Sequence, residues 1–274
     1  MTNSSPELSE AERHGSPDRF GHSWNIFNEM LPVHEKQFLR WTTGLEKSEW
    51  QGKEFLDVGC GIGRNSYWPL TYGAKSSLSI DIDERTLAAA RKNLEEFAGA
   101  AIENRSAYEI RESNRFDIAF SIGVIHHLEK PGEAVAEMVK SLKPGGTLLL
   151  WLYGYENNEW LVRYFNQARK FLFSQMPLPL VYGLSFPATA MLWLYLKLGF
   201  GKTEYMTMIR SFSFRHLRAI VYDHMIPIIA LYYTKDEAIR LLDDAGLQDV
   251  TANWVNEISW TVIGTKPDQN MPQA

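Results

Sequence analysis

Residues 55–64, FLDVGCGIGR, constrain this chain more than any other stretch: a short apolar run carrying one acid ends in a turn with glycine at 59, 61 and 63. Glycines at alternate positions let the backbone turn sharply and approach a ligand where a Cβ would collide. A helix starting just beyond would present free N–H groups. This is the local design of a nucleotide-type site. The dinucleotide fingerprint G-x-G-x-x-G is excluded, because its last glycine would fall at Arg64. Gly-x-Gly alone also occurs in ordinary tight turns, so residues further along the chain must decide between the two. Eighteen residues past Gly63, Ser79-Ile80-Asp81-Ile82-Asp83 ends a second apolar run with an acid where a ribose would need a hydroxyl acceptor.

Two further stretches come in order, Arg115-Phe116-Asp117-Ile118-Ala119-Phe120-Ser121 running on to His126-His127-Leu128, and Leu142-Lys143-Pro144-Gly145-Gly146-Thr147. With residues 55–64 they resemble the class I S-adenosylmethionine (SAM) methyltransferases: motif I, the acid after the second strand, the fourth strand with its loop, and the turn into the fifth strand. The resemblance covers residues 50–154 and 234–267. It implies an α/β, Rossmann-like fold, a seven-stranded mostly parallel sheet with helices on both faces, ending in an antiparallel pair. It also implies SAM as cofactor and S-adenosylhomocysteine (SAH) as product. The cofactor residues carried over are Asp57, Gly59, Cys60, Gly61, Gly63, Arg64, Asp81, Ile82, Ser106, Ala107, Tyr108, Ser121 and Ile122. Relatives commonly have an Asp-Ala pair after the third strand, whose acid bonds the adenine amino group. Ser106-Ala107 stands there in this chain, and a serine hydroxyl accepts one hydrogen bond without charge.

A chain of 274 residues with 45% hydrophobic content buries one large core, so one elaborated domain is expected. A net charge of −5 argues against a broad nucleic-acid footprint. Cys60, the single cysteine, rules out an internal disulfide and suits a reducing, cytoplasmic compartment. In a tight loop its plain role is that of a small filler. Residues 1–19 are polar, with Pro6, Gly15 and Pro17, and read as a disordered tail rather than a leader or anchor. Residues 268–274 read as a second tail. The methyltransferase domain is expected over 20–154 and 234–267, interrupted by 155–233.

Within that domain Pro32 is placed to open a helix carrying Phe38, Trp41 and Leu45 on one face. In the family this region closes over the site. Trp24, Phe27 and Arg40 therefore either face donor or substrate or simply pack the helix on the core. Strands are expected at 55–58, 101–105, 147–151, 250–255 and 258–263. Pro69 should shorten or kink the helix after motif I. Asp83 should cap the next helix, Pro131 open another, and Thr234-Lys235-Asp236-Glu237 form a capping box before a helix stopped by Gly246.

The insertion 155–233 is the most individual part. Residues 171–196 contain no charged side chain, yet Pro177, Pro179, Gly183 and Pro187 should break the run into short helices. A single membrane crossing is excluded by topology, since strands on either side of the insertion join one sheet. Residues 155–233 carry a net charge of +4 against −9 for the remainder. An apolar, basic segment on an acidic body reads either as a lid over a lipophilic substrate or peripheral membrane element, or as a helical subdomain burying itself or pairing with a second subunit through 171–200. As a lid it would contribute Tyr222, Asp223, His224 and Tyr232 to the acceptor pocket.

For chemistry, the loop after the fourth strand runs beside the methyl group in relatives. His126 and His127 are thus candidates to take a proton, His126 being preferred as the one facing the site, and Tyr153 is a candidate to orient substrate. No nearby carboxylate completes a ligand set, so no metal is expected. The expected activity is methyl transfer to a small, partly hydrophobic acceptor at oxygen, nitrogen or carbon. The alternatives are a different transfer from the sulfonium, or a non-catalytic membrane- or partner-binding module.

Overall fold

The computed structural model describes residue 30 and residues 32–268; the tail 1–19, Trp24, Phe27 and residues 269–274 lie outside the described residues. Seven strands form one sheet: β1 Glu54–Val58, β2 Ser76–Asp81, β3 Ala100–Asn104, β4 Phe116–Ile122, β5 Leu142–Tyr153, β6 Gln248–Val255 and β7 Ser259–Thr265. Their order is β3-β2-β1-β4-β5-β7-β6, parallel throughout except that β7 runs antiparallel to both neighbours.

β1 explains why apolar residues run on without alternation in its sequence, broken only by the buried Asp57. Leu56 and Val58 enter a core with Ala134, Met138 and Leu242, while Phe55 packs into the opposite core with Phe38, Trp50 and Phe120. A strand covered on both faces has no polar side. The helices around it are α1 Pro32–Trp41, α2 Arg64–Thr71, α3 Glu84–Asn93 and α4 Pro131–Ser141. Pro69 lies inside α2, which is only eight residues long. The Asp83 carboxylate caps α3 by accepting from Arg85 N at 2.9 Å. β5 begins earlier than its sequence suggests: the Pro144-Gly145-Gly146 turn is absorbed into the strand as an irregularity in its pairing with β4.

The insertion leaves β5 and returns to the same point. Tyr155 N donates to Tyr233 O at 2.8 Å and Tyr233 N to Tyr153 O at 2.9 Å. Between them lie α5 Asn166–Phe171, α6 Leu178–Lys197, α7 Glu204–Ile209 and α8 Phe214–Met225, followed by α9 Lys235–Asp243, which opens with the Thr234–Glu237 capping box.

One expectation fails here. Pro177 and Pro179 sit at the start of α6, where a missing N–H costs nothing, and Pro187 lies inside an unbroken twenty-residue helix. The turn before Pro187 is held from outside: Arg218 of α8 donates to Tyr182 O at 2.7 Å and to Ser185 Oγ at 3.0 Å. These tertiary bonds brace the turn just before the proline, although the N–H that the proline lacks would have reached Gly183 O.

Candidate functional site at the carboxyl ends of the strands

Past β1 the chain makes its turn with φ of +77° at Gly59, +54° at Gly61 and +77° at Gly63, a region that side chains other than glycine rarely adopt. A Cβ on Gly59 would lie 2.3 Å from Val124 Cγ2. The turn is pinned by Asp81: its Oδ2 accepts from Gly61 N at 2.9 Å and its Oδ1 from Asp83 N at 3.0 Å. Burial raises the Asp81 pKa despite these bonds. Asp57 stands behind the turn instead of lining it. Its Oδ2 accepts from Ser66 Oγ at 2.6 Å, and Ser66 Oγ meets Ser79 Oγ at 2.8 Å, so the group ties β1, β2 and α2 together.

Burial pushes the Asp57 carboxyl from 3.8 up to about 7. A folded pKa above the unfolded one means that the unfolded chain releases the proton first. The contribution to stability is whole below about pH 4 and is lost as pH rises toward about pH 7. Asp57→Asn cannot titrate. In urea denaturation of the ligand-free protein its stability should gain on wild type by about 3 kcal/mol between about pH 5 and about pH 8. Parallel pH curves for the two proteins would refute this.

The turn opens on a cavity of about 650 Å³ between the sheet ends and the insertion. Gly59, Cys60, Gly61, Arg64, Asp81, Ile82, Ala107 and Ile122 border it on the sheet side; His127, Tyr153, Asp223, His224 and Tyr232 border it toward the insertion. Arg64 lies over the Trp41 ring at 6.0 Å; burial lowers its pKa to about 10, and Asp223 of α8 opposes that shift.

His126 is displaced by its neighbour. Both lie in the short turn Ile125–His127, but His126 is fully buried beneath Tyr153, with ring centroids 3.9 Å apart, and its two nitrogens have no partner among the described residues. His127 reaches the cavity. Its Nδ1 lies 2.7 Å from Ile229 O, and since a carbonyl only accepts, Nδ1 carries the hydrogen and Nε2 the lone pair. Burial, helped by the cation of Arg169, holds the His127 pKa at about 3 and that of His224 at about 4. Both rings are neutral at ordinary pH. Arg169 itself is buried, donates to Asn166 Oδ1, and leaves Nε and Nη1 without a partner among the described residues. His224 Nδ1 is also unpartnered there, on a ring that borders the cavity.

Other residues singled out from the sequence do not border the cavity. Gly63 caps α2, and Ser121 Oγ donates to Val58 O at 2.8 Å inside the core. Ser106 Oγ accepts from Tyr108 N at 3.1 Å within its own turn, and Tyr108 Oη accepts from Lys130 N at 3.1 Å. Tyr222 is buried among Val181, Met225 and Ile226. Arg40 turns away, donating to Asn256 Oδ1 at 2.6 Å and pairing with Glu204 at 2.6 Å, so it ties α1 to α7. Conversely Asp83, Arg105, His34, Tyr205 and His216 border the cavity although no motif marks them. Asp83 had one signal, its place two residues after Asp81. His34 and His216 are brought within 6.1 Å by packing of α1 on α8, which leaves no local trace in sequence. Among the described residues no group of three or more His, Cys, Asp or Glu is arranged to hold a metal.

An open, mostly parallel sheet with a glycine turn and an acid at the strand ends defines a nucleotide-cofactor domain. Residues 56–150 match the family described as the methyltransferase domain. Over that stretch the chain is similar to the methyltransferases, and the sheet order has the topology that the sequence resemblance implied. The chain is 31% identical over 127 residues to the ubiquinone biosynthesis O-methyltransferase of Thiobacillus denitrificans, covering 45% of this chain and 54% of that protein. It is 37% identical over 109 residues to the tRNA U34 carboxymethyltransferase of Methylococcus capsulatus, covering 36% and 32%. The chain thus spans about half the length of the first curated relatives it matches. In fold it resembles the Burkholderia thailandensis 1,6-didemethyltoxoflavin-N1-methyltransferase, solved with SAH, at a TM-score of 0.59 and 15% identity over 96% of this chain and 93% of that one.

Proposed function

We propose that this protein is a SAM-dependent methyltransferase acting at oxygen, nitrogen or carbon of a small, partly hydrophobic acceptor. The observation that carries the reading is that the glycine turn with Asp81 and the His127–Tyr153 cluster border one cavity. The residues fit the cofactor: a glycine turn whose backbone at Gly59 and Gly61 borders the cavity, a carboxylate for ribose hydroxyls at Asp81, and apolar Ile82, Ala107 and Leu128 for the adenine. Bound SAM supplies a methyl group on a positive sulfur.

The chain's own work is to orient, to exclude water and to receive a proton. Holding reactants in line is worth roughly 7–11 kcal/mol, a positioned base about 10²–10⁴-fold. His127 Nε2 is assigned the proton, its ring oriented by the Ile229 carbonyl. Tyr153, His224 and Tyr232 face the acceptor, whose apolar part rests on Trp151 and Leu161. The insertion supplies the acceptor side, and the protein works in the cytoplasm.

Calorimetry with SAM and SAH, followed by incubation with methyl-labelled SAM and a lipid extract, tests the reading. Binding of both, with label in an organic-soluble product, is expected; a folded protein that binds neither refutes it. A second reading, carboxymethyl transfer, rests on the similarity to the tRNA U34 enzyme. The mass added to the product separates the two.

A further inference from the structure

Among the described residues, every large hydrophobic side chain exposed at the surface except Leu231 falls between positions 155 and 200. The most open are Phe171 at 72%, Met191 at 70% and Tyr164 at 66%. α6 is long and apolar enough to cross a bilayer by length and composition, yet it lies along the protein instead of standing away from it. Val181, Ser185, Thr189 and Leu196 form a buried stripe from one end to the other, and Arg218 bonds its middle. The opposite face, with Leu180, Met191 and Leu194, is exposed along the same length, and Phe186 at its flank is half exposed while packing on Phe214.

Charge decides what covers that face. Residues 160–203 contain no acid, and Arg163, Lys170, Lys197 and Lys202 are all exposed. Three of these cations lie beside exposed or nearby aromatic rings: Arg163 over Tyr164, Lys170 over Phe171 and Lys197 over Trp193, at 5.7, 5.9 and 5.6 Å. Aromatic and aliphatic groups rimmed by basic ones match the boundary of an anionic bilayer, where the rings enter the headgroup layer and the cations meet phosphates. A symmetric pairing of two copies would place this patch against itself, base against base. The patch also continues into the cavity, since Trp160, Tyr195 and Lys202 are exposed and border it.

We propose that the exposed face of α6, with the flanking residues 160–172 and 198–202, docks on an anionic lipid surface and sets the cavity mouth against it. That the acceptor enters from the lipid rests on the methyltransferase reading; the docking itself does not.

The test is flotation with vesicles of phosphatidylcholine alone and of phosphatidylcholine containing one third phosphatidylglycerol, comparing wild type with Met191→Glu/Leu194→Glu. Neither residue borders the cavity, and circular dichroism checks that the variant is folded. Wild type should float with the anionic vesicles, less so at high salt, and the double variant should bind them at least about tenfold more weakly. The proposal is overturned if wild type stays in solution, if the variant floats equally well, or if sedimentation finds a dimer that the substitutions dissociate without any vesicle binding. SAH calorimetry on both proteins keeps the two readings apart: loss of vesicle binding with SAH affinity intact indicts the surface alone, whereas vesicle binding without SAH affinity indicts the donor site alone.

Discussion

Asp81→Ala should weaken SAH binding at least about 100-fold in calorimetry while the protein stays folded. The carboxylate holds two backbone N–H groups from different segments, Gly61 in the glycine turn and Asp83 at the start of α3. Removing it leaves both donors unsatisfied at a largely buried position, and each charge-assisted bond is worth roughly 1.5–3 kcal/mol. The turn then loses the strut that fixes its shape, and the ribose loses its acceptor. Asp81→Asn tells the two losses apart. An amide oxygen accepts one of the two N–H bonds but its nitrogen cannot accept the other, so its affinity should fall between alanine and wild type. Equal SAH affinity in all three proteins would remove Asp81 from the donor site.

How much of this was legible beforehand depends on the range over which each feature is determined. The glycine turn is local: three positive φ angles need three glycines, and the residues that need them are adjacent in sequence. The caps at Asp83 and Thr234 are equally local, as is the two-sided burial of β1. Pro187 was misleading because the helix around it is held by tertiary packing, including the bonds from Arg218, thirty-one positions away on another helix, to the turn before it. From the sequence His126 is preferred over His127, but successive residues of a tight helical turn point in directions about a third of a turn apart, and it is His127 that borders the cavity. Only the rest of the fold determines which ring meets the cavity. Arg40 looked like a site residue because its helix borders the cavity through His34, Gln37 and Trp41, yet Arg40 itself pairs on the outer side with Glu204. The acceptor wall is the least legible part, since it is assembled from helices that carry no motif and meet only when the insertion folds back on β5.

His127→Ala should lower turnover by about 10²-fold and leave SAH affinity unchanged. The position is suited to a base: Nδ1–H is committed to the Ile229 carbonyl, so the basic nitrogen is Nε2, on a ring that borders the cavity. The size of the effect sits at the lower end of the usual range for a physical reason. Burial, with Arg169 nearby, holds the imidazole at about 3, and a base so weak gains less than one matched to neutral pH. The same burial gives the assignment its signature in pH. The neutral ring is the active form, and activity is lost only as pH falls through the depressed value. The kcat/KM profile should therefore stay flat from about pH 8 down to about pH 5, where a histidine at its ordinary pKa of about 6.5 would already have lost most of its activity. A fall centred near about pH 6.5 would place the proton acceptor elsewhere. Unchanged turnover in His127→Ala would do the same, leaving His224, whose cavity-side ring is likewise held neutral, as the group to substitute next.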